Sequence, residues 1–245
     1  MLENTFIHIQ GIGPKTEKAL WGRGIYTWET FLATKGPIIS SIRDPFIRSQ
    51  IELSIDNRNN IKYFTERLSV LDQWRIYDAF RHKAVFLDIE TTGGYQGMDE
   101  ITMIGLYDGN SVKTFINGKN LSDFELVIAD YDLVITFNGS CFDIPIIRRW
   151  FPNIYLPPGH IDLRFLFKKL GYSGGLKAIE KRFGLMRDSE IDGMDGYEAI
   201  KLWYAYQWGD KSALDLLIQY NTADIVNLKP LMETGYNTMK IELFS

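Results

Sequence analysis

The amino-acid sequence predicts an α/β protein in which a mixed β-sheet flanked by helices follows a smaller all-α region. From residue 84 onward, short apolar runs rich in strand-forming residues alternate with segments of helical periodicity, which is typical of a sheet covered by helices. Before residue 84, apolar residues recur at helical spacing with little strand signal. A chain of 245 residues is long enough for two domains. We therefore expect a helical domain over residues 1–80 and a sheet-containing domain over residues 81–245.

Predicted strands open the second domain, over residues 84–90, 101–107 and 112–116. The turn signal Asp108-Gly109-Asn110 separates the last two, so an antiparallel meander is expected. A predicted helix, a strand and a second helix follow, over residues 121–129, 132–138 and 142–150. A strand that returns to the sheet after a helix implies a parallel crossover, which makes the predicted sheet mixed.

The first predicted strand carries two acidic residues, Asp88 and Glu90. Alternate residues of a strand face the same side, so the two carboxylates project together. Such a pair suits hard divalent cations, and without a cation one of the two is expected to stay protonated. Taken alone, the pair is equally compatible with ordinary solvated acids at the end of a strand.

A third carboxylate, Asp143, follows the strand over residues 132–138, which ends at Asn138. Gly139 and Ser140 break that strand, and the helix over residues 142–150 begins next. Asp143 therefore lies near a helix N-terminus, where a carboxylate is favoured. Taken alone, it is better explained as a helix cap than as a metal ligand.

The last pair, Tyr220 and Asp224, lies on a predicted helix over residues 212–228. Residues four apart share one face of a helix, so the phenol is expected beside the carboxylate. A phenol near a metal-bound carboxylate can orient a water molecule. The alternative is a tyrosine at the edge of the core next to an exposed acid, which is common on helices.

Taken together and in this order along the chain, the four carboxylates and Tyr220 resemble the motifs of the DEDD (DnaQ-like) 3′–5′ exonuclease superfamily. The resemblance is closest to its YprB-type branch. The resemblance extends over residues 86–93, 134–147 and 160–228. It implies a ribonuclease H-like fold with a five-stranded mixed sheet. Gln219 stands where the histidine-type members carry their histidine, so Tyr220 identifies this sequence with the tyrosine type.

The resemblance implies a site for two divalent metal ions, Mg²⁺ or Mn²⁺. Their expected ligands are Asp88, Glu90, Asp143 and Asp224. One ion would generate hydroxide from a bound water, the other would stabilise the leaving 3′ oxygen, and Tyr220 would position the water. The expected activity is 3′–5′ hydrolysis at single-stranded ends, with DNA favoured over RNA. An RNA-processing 3′–5′ exoribonuclease and an inactive nucleic-acid-binding protein of the same fold remain as alternatives.

Further contacts with nucleic acid are predicted at Thr91, Thr92, Asn138, Gly11, Gly13 and Lys15. The first three belong to the carboxylate-bearing segments and are expected near the terminal nucleotide. The other three belong to residues 6–20, which resemble a helix-hairpin-helix motif. Glycines permit its tight turn, and backbone amides together with Lys15 would bind phosphate without sequence preference. A helical turn used for packing or for protein contact is the alternative.

The charges are unevenly distributed. Residues 1–83 carry 12 Lys/Arg against 9 Asp/Glu, and the remaining 162 carry 15 against 22. A mildly basic region can hold a polyanion, whereas the overall charge of −4 excludes strong general attraction to nucleic acid. Cys141 is the single cysteine, which excludes an internal disulfide or a cysteine-based zinc cluster. Without a membrane-length apolar run or a signal-peptide pattern, we expect a cytoplasmic protein without membrane contact.

Overall fold

The computed structural model describes residues 1–94 and 99–244 and divides into two compact units. The first, the N-terminal unit, comprises Met1–His82 together with Thr238–Ser245. The second, the sheet unit, comprises Lys83–Asn237. Across the described residues, no helix combines the length and apolarity needed to cross a bilayer. The assignment of separate domains to residues 1–80 and 81–245 stays a prediction.

The N-terminal unit is built from short helices. Its α-helices are α1 (Pro14–Trp21), α2 (Trp28–Ala33), α3 (Asp44–Asp56), α4 (Ile61–Thr65) and α5 (Tyr77–Phe80). Turns of 3₁₀ helix span Leu2–Asn4, Val70–Ile76 and Arg81–Lys83. Pro14 opens α1 at a position where the missing N–H is not needed, and the Thr27 hydroxyl caps α2 by accepting from the Thr30 amide at 3.1 Å. The side chains of Phe6, Phe31 and Phe64 are fully buried at the centre of this unit.

Within the N-terminal unit, a buried ion pair joins α1 to the 3₁₀ turn over Val70–Ile76. Glu17 is fully buried on α1 and accepts two hydrogen bonds from Arg75 Nη1, at 2.8 and 2.9 Å. Its Oε1 also accepts from the backbone amides of Phe6 and Ile7. Because every one of these partners donates to a charged acceptor, the carboxylate is well satisfied despite its burial.

The sheet unit contains a five-stranded mixed sheet. Its strands are β1 (Ala84–Thr91), β2 (Ile101–Tyr107), β3 (Val112–Ile116), β4 (Leu133–Thr136) and β5 (Gly159–Asp162). They lie in the order β3-β2-β1-β4-β5. The pairs β1–β2 and β2–β3 are antiparallel, whereas β1–β4 and β4–β5 are parallel. The predicted meander, crossover and five-stranded mixed sheet are therefore confirmed.

Helices alternate with the later strands and follow the last one along the chain. They are α6 (Phe124–Ile128), preceded by a 3₁₀ turn over Leu121–Asp123, α7 (Asp143–Trp150), α8 (Leu163–Lys169), α9 (Leu176–Arg182), α10 (Gly196–Gln207) and α11 (Lys211–Phe244). One core cluster forms where β1, β2 and β4 pack against α6 and α7, with Leu87, Phe124 and Ile147 fully buried. A second cluster joins α10 and α11 to β2 and β3, with Trp203 and Leu217 inside it.

Several elements differ from the prediction by one to three residues at an end, and the end of β4 and the length of α11 have clear physical reasons. The strand expected over residues 132–138 ends at Thr136, because the chain turns at Asn138, whose φ of 67° lies in the left-handed region. The helix expected over residues 212–228 continues to Phe244 and contains Pro230. Proline normally ends or kinks a helix, but the residues after it, including the fully buried Leu231, keep the helical packing pattern.

Candidate metal centre

Three of the predicted metal ligands converge at one point. Asp88 and Glu90 share one face of the central strand β1, and Asp224 approaches them from α11. One carboxylate oxygen from each of the three lies within 4.8 Å of the others. Glu90 and Asp224 are buried, with 8% and 7% of their surface exposed. This all-oxygen set has the ligand type that hard divalent cations prefer.

Asp143 reaches the same strand by a different contact. It is the first residue of α7 and is 2% exposed. Its Oδ1 accepts a hydrogen bond at 3.1 Å from the backbone amide of Ile89, which lies between Asp88 and Glu90. The carboxylate also accepts a hydrogen bond from the backbone amide of Asp143 itself, at the start of α7. The roles of Asp143 as a helix cap and as a metal ligand both stay predictions.

The electrostatics of the cluster reflect four carboxylates in a buried site. Burial, followed by repulsion from Asp224, raises the pKa of Glu90 to about 8. Burial likewise raises the pKa of Asp143 to about 7 and that of Asp224 to about 6. For Asp88, burial and the other three carboxylates together raise the pKa well above its ordinary value. Without cations, these groups therefore resist full ionisation at neutral pH.

Asn221 holds the pair on β1 in place. Its Nδ2 donates to Asp88 Oδ2 at 3.0 Å and lies 3.5 Å from Glu90 Oε1. Gly105 pairs with Asp88 across β1 and β2, and a Cβ at this glycine would lie 2.0 Å from Asn221 Oδ1. The sheet therefore needs a residue without a side chain here so that Asn221 can reach the carboxylates.

Lys177 orients the phenol of Tyr220. Lys177 Nζ on α9 donates to the Tyr220 hydroxyl at 2.9 Å. Burial, followed by the charge of Asp224, raises the pKa of Tyr220, so the phenol stays protonated at neutral pH. Because the ammonium can only donate, the hydroxyl oxygen accepts and its own proton remains available to another acceptor.

Arg187 supplies a positive charge to one edge of the cluster. Its Nη2 donates to Asp224 Oδ1 and, at 2.7 Å, to Glu180 Oε1, while its Nε donates to Glu180 Oε2 at 2.8 Å. Glu180 is 2% exposed and also accepts from Asn227 Nδ2 at 2.9 Å. A bidentate pair of this kind fixes the plane of the guanidinium beside Asp224.

These residues fit a site for divalent cations. The donor set consists of oxygens, and those of Asp88, Glu90 and Asp224 are close enough to share an ion. Burial raises the pKa values of Glu90 and Asp143, so a bound cation would favour their ionised forms. Arg187 donates a hydrogen bond to Asp224. Asp88 and Glu90 instead face the neutral side chain of Asn221.

A family model described as the RNase_H superfamily matches residues 85–236. The chain belongs to the RNase H superfamily. The matched stretch contains the carboxylate cluster and Tyr220. No curated protein matches the chain.

Several solved structures align with this chain at low sequence identity. The family B DNA polymerase of the archaeon Pyrobaculum calidifontis aligns with a TM-score of 0.51 and 16% identity over 62% of this chain and 24% of its own. Escherichia coli RNase D aligns with a TM-score of 0.47 and 18% identity over 70% of this chain and 44% of its own. Brucella melitensis NrnC with bound Mg²⁺ aligns with a TM-score of 0.48 and 19% identity over 68% of this chain and 78% of its own. The chain thus spans less than half of the polymerase and of RNase D. At 16% identity, the alignment with the polymerase shows a shared fold and nothing about activity.

In this RNase H-like site, sequence reasoning missed Asn221, Lys177, Glu180 and Arg187. Asn221 is three residues from Asp224 and so shares its helix face, a spacing that could have revealed it. Lys177, Glu180 and Arg187 lie within the stretch over residues 160–228 that carries the family resemblance. No spacing rule connects α9 or the following loop to α11, so these contacts follow from the tertiary fold.

The structure places the remaining contacts predicted near the carboxylates as follows. Thr91 ends β1, and its Oγ1 lies 3.4 Å from the amide of Gly93. The Thr92 amide donates to the carbonyl of Glu100 at 3.0 Å, so it would have to leave that partner to bind a nucleotide. Asn138 keeps its left-handed backbone because Asp162 Oδ1 accepts from its amide at 2.8 Å. Contact of these three residues with nucleic acid stays a prediction.

The helix-hairpin-helix assignment also stays a prediction. Gly11 has a φ of 83°, a conformation that favours glycine, and its carbonyl accepts from Arg43 Nη2 at 2.6 Å. Gly13 is extended and precedes Pro14 at the start of α1. Lys15 is exposed in the first turn of this helix. The local backbone thus has the tight turn and helix start that the motif requires.

Proposed function

We propose that this protein is a metal-dependent 3′–5′ exonuclease of the DEDD superfamily, of the tyrosine type and closest to the YprB-type branch. Its substrate is the 3′ end of single-stranded nucleic acid, DNA in preference to RNA. The observation that carries the proposal is the convergence of Asp88, Glu90 and Asp224, whose ligand oxygens lie within 4.8 Å of one another. Tyr220 stands on the same helix face as Asp224 and is anchored by Lys177.

Asp88, Glu90, Asp143 and Asp224 would hold two divalent cations, Mg²⁺ or Mn²⁺. When bound, such cations supply an activated water and neutralise charge on the phosphodiester oxygens. Three of the four carboxylates are buried and that of Asp88 is half-buried. Hydrogen bonds from Asn221 to Asp88 and from the Ile89 amide to Asp143 hold two of them in place. The ligands are therefore preorganised, and little side-chain entropy is lost when they coordinate.

Tyr220 acts as a neutral hydrogen-bond donor. Lys177 occupies the acceptor side of its hydroxyl, so the phenolic proton can point to the attacking water. This orients a lone pair of the water toward phosphorus without transferring charge to the protein. Lys177 is a positioning residue here, since it acts through Tyr220.

We further propose that residues 1–80 form a nucleic-acid-binding domain and residues 81–245 the exonuclease domain. Gly11, Gly13 and Lys15 would contact backbone phosphates of the substrate through the turn before α1. The exposed Lys15 and the backbone of this turn carry no base-specific pattern, so binding would depend on salt rather than sequence. Thr91, Thr92 and Asn138 would contact the terminal nucleotide.

The test uses single-stranded oligonucleotides labelled at the 5′ or the 3′ end, made as matched DNA and RNA. With Mg²⁺ or Mn²⁺, the 5′-labelled DNA should shorten progressively from its 3′ end, whereas the 3′ label should leave as a mononucleotide. EDTA or Asp88→Asn should abolish both. Faster loss of the RNA strand would replace DNA by RNA as the substrate, and persistence of cleavage in Asp88→Asn would overturn the proposed site.

A further inference from the structure

An exposed aromatic face runs along α10, on the side opposite to the core of the sheet unit. It is formed by Tyr197, Tyr204 and Trp208, which are 65%, 44% and 87% exposed, together with the exposed Lys201. We call these four residues the α10 face. Soluble proteins commonly expose single apolar side chains, whereas three large aromatic rings in line on one helix indicate a surface that binds a partner.

The residues of the α10 face follow the spacing of a coiled-coil seam. Successive members are separated by four, three and four residues, which is the alternation of the a and d positions in a heptad repeat. Trp208 is the C-cap residue, but its amide still donates to the Tyr204 carbonyl at 3.0 Å, so its side chain keeps the helical phase. The α10 face therefore has the geometry against which a second helix packs.

The sheet unit holds α10 in place without a partner. Its opposite side is buried in the second core cluster through Ala199 and Trp203. At its N-terminus, Asp195 and Glu198 form a capping box, so the backbone engages both carboxylates. The rings are displayed on a preformed helix, and binding through them therefore orders little backbone.

The order of residues along the α10 face is self-complementary under a two-fold axis. In an antiparallel pair of these helices centred between residues 202 and 203, Tyr197 lies opposite Trp208 of the partner subunit. In the same pair, Lys201 lies opposite the partner subunit's Tyr204. Ring then meets ring and ammonium meets ring, and both contacts are attractive. A parallel pair would instead place Lys201 against the partner subunit's Lys201, where two like charges repel.

Within one chain, Lys201 already makes the type of contact that this pairing requires. Its Nζ lies 4.3 Å from the centroid of the Tyr197 ring. The aliphatic part of this side chain can therefore cover an aromatic ring while the ammonium stays at the edge of the seam.

We propose that the α10 face is a homodimer interface, in which two copies of this chain pair their α10 helices antiparallel. Three rings with these exposures offer on the order of 400 Å² per copy, which is about half of what each partner buries in an interface of standard size. A lysine at an a-type position fixes the register and lowers stability. The dimer is therefore weak, with a dissociation constant on the order of 10 μM.

The experiment measures the dissociation constant of the full chain by sedimentation equilibrium in EDTA, which excludes association through metal ions. Trp208→Ala removes the most exposed ring of the face. Tyr155→Ala is its matched control, because Tyr155 is 62% exposed and lies outside α10. Lys201→Leu replaces the charged member of the face by an apolar side chain. To determine the orientation, Lys201→Cys and Tyr204→Cys, each combined with Cys141→Ser, are oxidised separately and as an equal mixture.

The wild type should dimerise reversibly. Trp208→Ala should weaken dimerisation on the order of 100-fold or more, whereas Tyr155→Ala should leave it unchanged. Lys201→Leu should strengthen it on the order of tenfold. In the oxidised mixture, disulfides should form mainly between a Lys201→Cys chain and a Tyr204→Cys chain, because these positions are opposite each other in the antiparallel pair.

A chain that stays monomeric far above this concentration would overturn the proposal, as would a dimer that Trp208→Ala and Lys201→Leu leave unchanged. Disulfides confined to like chains would refute the antiparallel pairing. Binding of a single-stranded oligonucleotide to a monomeric chain, if Trp208→Ala abolishes it and Tyr155→Ala does not, would overturn the dimer and assign the face to nucleic acid.

Discussion

Glu90→Gln should stabilise the metal-free protein at alkaline pH. Burial raises the pKa of Glu90 from its ordinary 4.5 to about 8. A carboxyl whose pKa is higher in the folded state holds its proton more tightly there, so stability is complete at acidic pH and declines as pH rises from about 4.5 to 8. With about 1.4 kcal/mol per pKa unit, the ionised Glu90 lowers the free energy of unfolding by on the order of 5 kcal/mol at pH 8.

Glutamine keeps a side-chain oxygen that can accept a hydrogen bond from Asn221, and it cannot ionise. The variant should therefore not lose free energy of unfolding as the pH rises. The free energy of unfolding is measured by urea titration in EDTA, with tryptophan fluorescence as the signal, at pH 5 and pH 8. We expect the variant to exceed the wild type by several kcal/mol at pH 8 and to match it within about 1 kcal/mol at pH 5.

Added Mg²⁺ or Mn²⁺ should reverse the order of the two proteins, because the ions bind and stabilise the folded wild type more than the variant. A variant no more stable than the wild type at pH 8 in EDTA would refute the reasoning. So would a difference that does not change between pH 5 and pH 8, since that would exclude ionisation of Glu90 as its cause.

Three further substitutions test how the site is held. Gly105→Ala should push Asn221 away from the carboxylates, and we expect Mn²⁺ affinity, measured by calorimetry, to fall about 10-fold or more. Arg187→Met leaves Glu180 buried without its cation and should lower the free energy of unfolding by about 3–5 kcal/mol in urea titrations. Tyr220→Phe should reduce kcat on the order of 100-fold with little change in Mn²⁺ affinity, because in the proposed mechanism the phenol orients the water and binds no cation.

Controls separate these effects from general disruption. Gly196→Ala introduces a Cβ with open space around it, and unchanged Mn²⁺ affinity there would show that the effect at Gly105 is local. Glu180→Gln combined with Arg187→Met should recover part of the lost stability. An unchanged kcat in Tyr220→Phe would contradict the role given to its hydroxyl, and a large drop in Mn²⁺ affinity would show that it serves the ligands instead.

The sheet was predictable because its strands have local signals. The segments over residues 101–107 and 112–116 match β2 and β3 in both bounds, since a glycine turn separates two apolar runs. The predicted end of β4 at Asn138 was wrong, since this strand ends at Thr136. Asn138 has a left-handed backbone that is held by Asp162 and Arg164, which are distant in sequence. The predicted helix over residues 212–228 was too short, because α11 continues through Pro230 to Phe244 and packing of residues such as Leu231 stabilises it there.

The types and spacing of residues in the sequence were enough to predict the carboxylates and Tyr220 as site residues, but not the residues that support them. Asp88 and Glu90 follow from strand alternation, and Tyr220 and Asp224 from helix periodicity. The position of Asp143 against the amide of Ile89 required the parallel pairing of β1 with β4, which no single segment encodes.

The most direct test of the metal centre is anomalous diffraction from crystals soaked in Mn²⁺. We expect two anomalous peaks among the carboxylates of Asp88, Glu90, Asp143 and Asp224, and neither peak in crystals of Asp88→Asn. Carboxylates that bind no manganese, or manganese ions found only elsewhere on the chain, would contradict it.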